Sequence, residues 1–177
     1  MAQLAAGRVL VGTPSGHVLI RVEGRGTHMN SQPLRDFVME MVRRGYHDFD
    51  LDLADCLYVD STFAGVIVAL SLQVRESSGG KVAVFGANNR CREQLHTLGV
   101  DHLFDLDHEN ERAPGIAGIT SPDEQLEALP WPFRSQEAWS DTILEAHQTL
   151  AKVDPQNAER LQDVIEYMQQ QKSQRLH

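Results

Sequence analysis

HDFDLDLADCLYVDSTFAGVIVALSLQVRESS, residues 47–78, reads as a strand, a polar corner and a long apolar helix. Phe49, Leu51 and Leu53 alternate with Asp48, Asp50 and Asp52, the period of a strand with one wet face. Leu57, Tyr58 and Val59 continue in β-favouring residues up to Asp60. After Thr62 the pattern changes to Phe63, Val66, Ile67, Ala69, Leu70, Leu72 and Val74, apolar almost all round, as in a helix packed on a sheet. The tripeptide Asp60-Ser61-Thr62 thus hangs hydroxyls on the start of a buried helix, just past a strand end. In α/β folds that position tends to carry function.

Working upstream, Arg8 to Val11 and His17 to Val22 are two short β segments joined by turn chemistry at Pro14-Ser15-Gly16, a hairpin. A loop with Gly24 and Gly26 leads into Asn30-Ser31-Gln32-Pro33, which reads as a helix start with Ser31 as cap and Pro33 in the first turn. Leu34, Phe37, Val38, Met41 and Val42 form its apolar stripe, and Arg43, Arg44 and Gly45 end it. Downstream, Gly79-Gly80 closes the long helix and KVAVF (81–85) is a buried strand. Asn88 or Asn89 caps a helix bearing Cys91, Leu95 and Leu98 that stops at Gly99, and Val100 to Leu106 is a last short strand or turn. Strands alternating with helices imply an α/β domain with a mixed or parallel sheet of about four to five strands and right-handed crossovers.

Past His108 the texture changes. Residues 109–120 have no periodicity and read as a linker. Ser121-Pro122-Asp123-Glu124 has the capping-box arrangement of a short helix ending before Pro130. Two amphipathic helices follow. The first carries Trp139, Ile143, Ala146, His147 and Leu150 on one stripe; the second, started by Asp154-Pro155, carries Ala158, Leu161, Val164, Ile165 and Met168. Their short connection makes an antiparallel hairpin whose stripes must bury on the first domain or on a partner, a second copy of the chain included. The expected organisation is a domain over 1–108, a linker with a short helix over 109–135 and a helical hairpin over 136–177.

The net charge of −9 argues against a nucleic-acid partner and gives no help towards anionic membranes. No apolar run reaches the roughly 18 residues of a spanning helix, and the N-terminus lacks a signal-peptide pattern, so a cytoplasmic location is the expectation. Cys56 and Cys91 belong to no paired motif and read as reduced, buried thiols. The eight histidines show no metal-ligand spacing, and no cofactor motif occurs.

Three chemistries fit the corner at different levels. A serine hydrolase would need a base brought to Ser61 by tertiary contact, and no G-x-S-x-G elbow is present. An acidic cation pocket from Asp50, Asp52, Asp55 and Asp60 lacks a second acidic strand end, so Asp50 and Asp52 read as a solvated face. A third reading makes Ser61 a modified hydroxyl at the positive end of a helix, where a phosphate adds about −1.5 to −2 charge beside Asp60 and alters docking. The bland reading is that Ser61 only caps the helix, worth about 1 kcal/mol. Spacing alone leaves the last two open.

LDLADCLYVDSTFAGVIVAL together with GGKVAVFGANNRCREQLHTLGVDHLFDL resembles the STAS domain, the domain of sulphate transporters and anti-sigma factor antagonists. The matching positions are Leu51-Asp52-Leu53, Asp60-Ser61-Thr62 with Gly65, Gly80-Lys81-Val82, and Leu95 with Gly99, and the resemblance covers about residues 8 to 106. It implies a non-enzymatic anti-sigma factor antagonist acting by partner switching. Ser61 would accept phosphate from an anti-sigma factor that is a serine kinase, and a PP2C-type phosphatase would reset it. Asp60, Thr62 and Phe63, with Thr27, Asn30 and Ser31 of the neighbouring loop, would form the docking surface. The alternative is a STAS subunit that is never phosphorylated and serves as a structural clamp, for example in a lipid-transport complex. Two positions depart from the family pattern: Phe63-Ala64 stand where Gly-Leu is usual, and Arg25 follows Gly24 where an acid is common.

Overall fold

In a computed structural model, residues 7–14, 16–108, 110–114, 116, 126–130 and 135–175 are described. The elements run β1 (Arg8–Gly12), β2 (Val18–Gly26), α1 (His28–Arg43), β3 (Phe49–Asp52), β4 (Cys56–Val59) and α2 (Ser61–Ser78). They continue with β5 (Val82–Phe85), α3 (Asn89–Thr97), a 3-10 turn (Asp101–Leu103), β6 (Phe104–His108) and β7 (Glu127–Ala128). Three helices end the chain: α4 (Gln136–Val153), α5 (Pro155–Arg160) and α6 (Gln162–Arg175). Among the described residues the sheet has seven strands, in the order β6-β5-β3-β2-β1-β7, with β4 also paired to β2. The β1–β2 and β1–β7 pairs are antiparallel and the others parallel, so the α/β class and mixed sheet agree with expectation, while the strand number is larger.

The additional strands have local causes. The Asp52 carboxylate accepts the Ala54 N–H at 3.0 Å, and the Cys56 N–H donates to the Leu53 carbonyl at 2.9 Å. That turn divides what alternation presents as one strand into β3 and β4. Long β2 serves both halves: Val18–Arg21 pair with β3, and Gly24–Gly26 pair with β4 across a bulge. β7 is the other addition. Glu127–Ala128 pair with Val11 and Leu10, so the helix expected to run up to Pro130 does not include them. Its expected start at Ser121 lies outside the described residues.

Alternation sends Val9, Val11, Val18, Ile20, Val22, Phe49, Leu51, Val82 and Val84 into one core beneath α1, α2 and α3. The opposite face carries Leu10, Leu19 and Phe85, covered by Ala113 and Leu126 with Ile116 beside them. This corrects the solvated-face reading: Asp50 is 6 % exposed and Asp52 0 %. Burial pushes both carboxyls up from their ordinary range, while Ala113 N–H (3.3 Å) and the Arg112 guanidinium (3.7 Å) face Asp52. Arg112 also grips Asp55 through two hydrogen bonds, at 2.7 and 3.0 Å, which hold the Asp55 carboxyl down. The stretch after β6 that reads as a linker therefore straps the back of the sheet in its described part.

The first helix starts one turn earlier than the Asn-Ser-Gln-Pro pattern suggests. Thr27 is its cap, accepting the Met29 N–H, and Asn30 returns a bond to the Thr27 N–H, a reciprocal box that overrides Ser31. Pro33 consequently lies inside the helix. Cys56 and Cys91 are both buried and free, as expected.

The C-terminal hairpin packs on the first domain. α4 lies on α2, and its buried face includes Ile143, Leu144, Ala146, His147 and Leu150. Asn157 of α5 is fully buried and donates to the carbonyls of Leu98 (2.7 Å) and Leu150 (3.2 Å). The second arm breaks at Leu161, and α6 buries no residue; Ala158, Val164 and Tyr167 of the expected arm are exposed.

Candidate functional site

The corner is built around one carboxylate. Asp60 caps α2, its Oδ1 accepting the Phe63 N–H at 2.8 Å. Its Oδ2 accepts the His28 N–H at 2.8 Å and faces His28 Nδ1 at 3.3 Å. The Asp60 N–H donates to the Gly26 carbonyl at 2.8 Å. The positive starts of α1 and α2 thus converge on a single anion, an arrangement the helix dipoles favour. Because Asp60 is the cap, Ser61 is not; its hydroxyl is left available for another partner.

That partner is His147 of α4. Ser61 Oγ and His147 Nε2 share a hydrogen bond at 3.0 Å. Ser61 itself is half-buried, whereas His147 is 5 % exposed. Burial lowers the imidazole's proton affinity, and the nearby Asp60 charge opposes that. His147 Nδ1 is buried with no hydrogen-bond partner. Trp139, about two turns earlier on the same stripe, stands edge-on to the His28 ring at 5.6 Å.

A serine hydroxyl on an imidazole is the beginning of a nucleophile–base pair, and the base arrives by tertiary contact. Among the described residues no third member completes the arrangement. The Asp60 carboxylate is committed to His28 and Phe63, and nothing orients His147 through Nδ1. What the geometry does supply is a partly accessible hydroxyl at a helix start, held by a neutral-leaning histidine.

The other residues picked out by sequence shape the corner from within. Phe63 is 0 % exposed and fills the space above Gly26, where a Cβ would come within 2.8 Å of its ring; it is core and not an exposed aromatic contact. Thr62 is 5 % exposed, so it too lies within the corner and not on its open surface. Asn30 and Ser31 are buried and tie the loop, Asn30 Nδ2 donating to the Arg25 carbonyl (2.9 Å) and Ser31 Oγ to the Thr27 carbonyl (2.8 Å). Thr27 is half-buried as the α1 cap. The departure at Arg25 is accessible: its guanidinium lies 5.5 Å over the Tyr58 ring, which Arg90 approaches at 4.8 Å.

Two residues gain a role that their local pattern does not reveal. Gly65 is a point of close approach between α2 and α4; a Cβ there would lie 2.5 Å from the Ala146 carbonyl oxygen. His147 appears on an apolar stripe, which marks it as buried but does not say against what. Arg35 of α1 and Glu145 of α4 complete the contact with a 2.6 Å ion pair at the rim.

No curated protein matches the chain. A solved structure from Thermotoga maritima, described as a candidate anti-sigma factor antagonist, is similar with 24 % identity and a TM-score of 0.43. It covers 49 % of this chain and 75 % of its own, a similarity too low to bear on function. No helix among the described residues is long and apolar enough to cross a membrane. The family model described as "Mlab, STAS domain" matches residues 9–106, from β1 into β6, leaving β7 and α4–α6 outside. With more than half its length matched, and with the Asp60-Ser61-Thr62 corner and Gly65 inside the match, the chain belongs to the STAS domain family.

Proposed function

We propose that this chain is a protein-binding module of the partner-switching kind, acting in the cytoplasm without catalysis of its own, in which a phosphoryl group on Ser61 decides whether a partner docks at the α1–α2 corner. The observation that carries the reading is the half-buried Ser61 hydroxyl in the first turn of α2, relieved of capping by Asp60. Backbone N–H groups at a helix start tolerate a phosphate. The added charge of about −1.5 to −2 would stand beside the Asp60 carboxylate and repel or desolvate a docking surface. The partners in this reading are an anti-sigma factor serine kinase and a PP2C-type phosphatase, which the STAS resemblance suggests.

The test is incubation of the full chain with such a kinase and ATP, followed by mass spectrometry of the peptide spanning Ser61. Binding is measured in parallel: Ser61→Ala should bind the kinase constitutively and Ser61→Asp should bind at least tenfold more weakly. Equal affinities for the two variants refute the switch.

A second reading is favoured by one observation, the engagement of Ser61 Oγ by His147. A hydroxyl already held within the protein suits a STAS subunit that is never phosphorylated and clamps a larger assembly, such as a lipid-transport complex. An unmodified Ser61 in chain purified from its own cells, together with co-purifying transporter subunits, would select that reading.

A further inference from the structure

We propose that Cys56 and Cys91 close a reversible intramolecular disulfide when the chain meets a hydroperoxide, Cys91 attacking first and Cys56 resolving. The bond would be a second modification site, independent of any phosphoryl group on Ser61. The chain has 2 cysteines, and the fold brings both together across 35 positions, Sγ to Sγ at 3.9 Å. Cys56 opens β4 and Cys91 stands in the first turn of α3. One side chain fixes their backbones to each other: Asn88 Oδ1 accepts the Cys91 N–H at 2.9 Å, and its Nδ2 donates to the Cys56 carbonyl at 2.6 Å.

The two thiols differ in the way an attacking and a resolving cysteine must. Thiolates, not thiols, are the nucleophiles, and a helix start beside a cation favours them. The contact with Cys56, and then the Arg90 charge, hold the Cys91 thiol below its ordinary range against burial. The same contact, with burial, pushes the Cys56 thiol up. Cys56 thus stays protonated, its sulfur 3.4 Å from the Tyr58 carbonyl oxygen. Both side chains are enclosed, Cys56 at 1 % and Cys91 at 0 % exposure. The cover over Cys91 is nevertheless thin: Asn88, Asn89 and Arg90 are exposed, and α3 buries Cys91 and Leu95 alone among its 9 residues. A short helix so lightly anchored opens locally more readily than the central strands, which gives a small oxidant its route.

The Cys91 thiolate attacks one oxygen of the hydroperoxide. An S–O bond forms, the O–O bond breaks, and the departing alkoxide or hydroxide takes up a proton. The Cys56 sulfur then attacks the sulfur of the Cys91 sulfenic acid. The S–S bond forms, the S–O bond breaks, and hydroxide leaves with the Cys56 proton as water. The thiol pair loses two electrons, and the hydroperoxide is reduced to an alcohol or water. Bonding brings the sulfurs to about 2.05 Å. From contact at 3.9 Å, that takes side-chain rotation and a small approach of α3 to β4. The product ties the first turn of α3 to the strand that leads into Asp60.

The test treats the folded full chain with hydrogen peroxide, followed by mass spectrometry without reduction. The expected product is a monomer lighter by two hydrogens, with the Cys56 and Cys91 peptides joined, restored by dithiothreitol. Its Tm should rise by about 5–10 °C over the reduced chain. Thiols that both survive peroxide, a Cys91 carried on to sulfinic acid without pairing, disulfides between chains, or a lowered Tm each overturn the proposal. The order of attack is read with dimedone, which traps sulfenic acid. Cys56→Ser should give the adduct on the Cys91 peptide, and Cys91→Ser should give none. An adduct on Cys56 overturns the assigned roles. Should a serine variant unfold by circular dichroism, the wild-type product alone decides whether the pair closes.

Discussion

Replacing Gly65 by Ala sets two effects of opposite sign against each other. Gly65 lies inside α2, where Ala is favoured over Gly by about 1 kcal/mol on propensity alone. The added Cβ, however, would stand 2.5 Å from the Ala146 carbonyl oxygen, 2.7 Å from its Cβ and 2.8 Å from its carbonyl carbon. Two of these are backbone atoms of α4, so no rotamer change relieves the clash. Restoring ordinary contact requires α4 to retreat by roughly 1 Å, which forfeits a quarter to a half of the dispersion energy along its stripe. Overpacking of this kind costs about 1–3 kcal/mol. The clash should therefore outweigh propensity, with a net loss of up to about 2 kcal/mol. For a chain of this size that is a fall in Tm of about 2–4 °C per kcal/mol. Urea unfolding followed by circular dichroism reads the change, and hydrogen exchange localises it to α4. An equally or more stable variant would refute the tight α2–α4 contact and leave propensity as the only operating term.

Further expectations concern the core, the histidine, the hairpin and the switch. Phe63→Ala should cost about 3–5 kcal/mol in denaturant midpoint, because the ring is fully enclosed; a small loss accompanied by lost partner binding would instead mark an exposed anchor. Burial holds His147 below its ordinary 6.5, so on acidification the unfolded chain takes up a proton that the native state resists. Stability should accordingly fall as pH drops through and below about 6.5, in urea titrations, and His147→Gln should flatten that slope; an unchanged slope would place the titration elsewhere. Asn157→Ala strips donors from two buried carbonyls and should cost about 1–3 kcal/mol, with faster exchange in α5. The Ser61→Ala and Ser61→Asp pair should diverge in partner affinity as set out above, with unaltered circular dichroism for both.

The strand, corner and helix of residues 47–78 were legible because period 2 gives way to an apolar helix just after Asp60, although the sequence pointed to Ser61 as the cap and the structure caps the helix with Asp60. The ends were legible too: Gly79 and Gly45 adopt the left-handed backbone that glycine permits, and Asn88 caps α3 through the Cys91 N–H. What could not be seen lay far along the chain. Alternating Asp50 and Asp52 look wet, yet the Ala113–Arg112 strap some sixty positions later closes over Asp52, and His17 faces Asp50 at 3.4 Å. The break between β3 and β4 hides in a strand-like run because a side chain, Asp52, bends the backbone there. Ser61 stood out as a hydroxyl at a helix start, but its partner is separated by 86 residues, and a stripe on a helix names no target. Phe63 was ambiguous for the same reason: an apolar ring beside a corner can face either way until Gly26 leaves a hole beneath it.

The borders of the sheet differ in how they resist unwanted association. β6 ends one side with Asp105 and Asp107, charges that discourage another chain from extending the ladder. β1 has no such guard: its sequence Arg-Val-Leu-Val-Gly is apolar through the middle, and what shields it is the two-residue β7, whose hydrogen bonds continue to Leu129 N–H on the Val9 carbonyl. Peeling that short cover away would present a flat row of unpaired amides and carbonyls flanked by valines, a template for fibrillar stacking, so residues 126–130 act as a cap against self-assembly as much as a part of the fold.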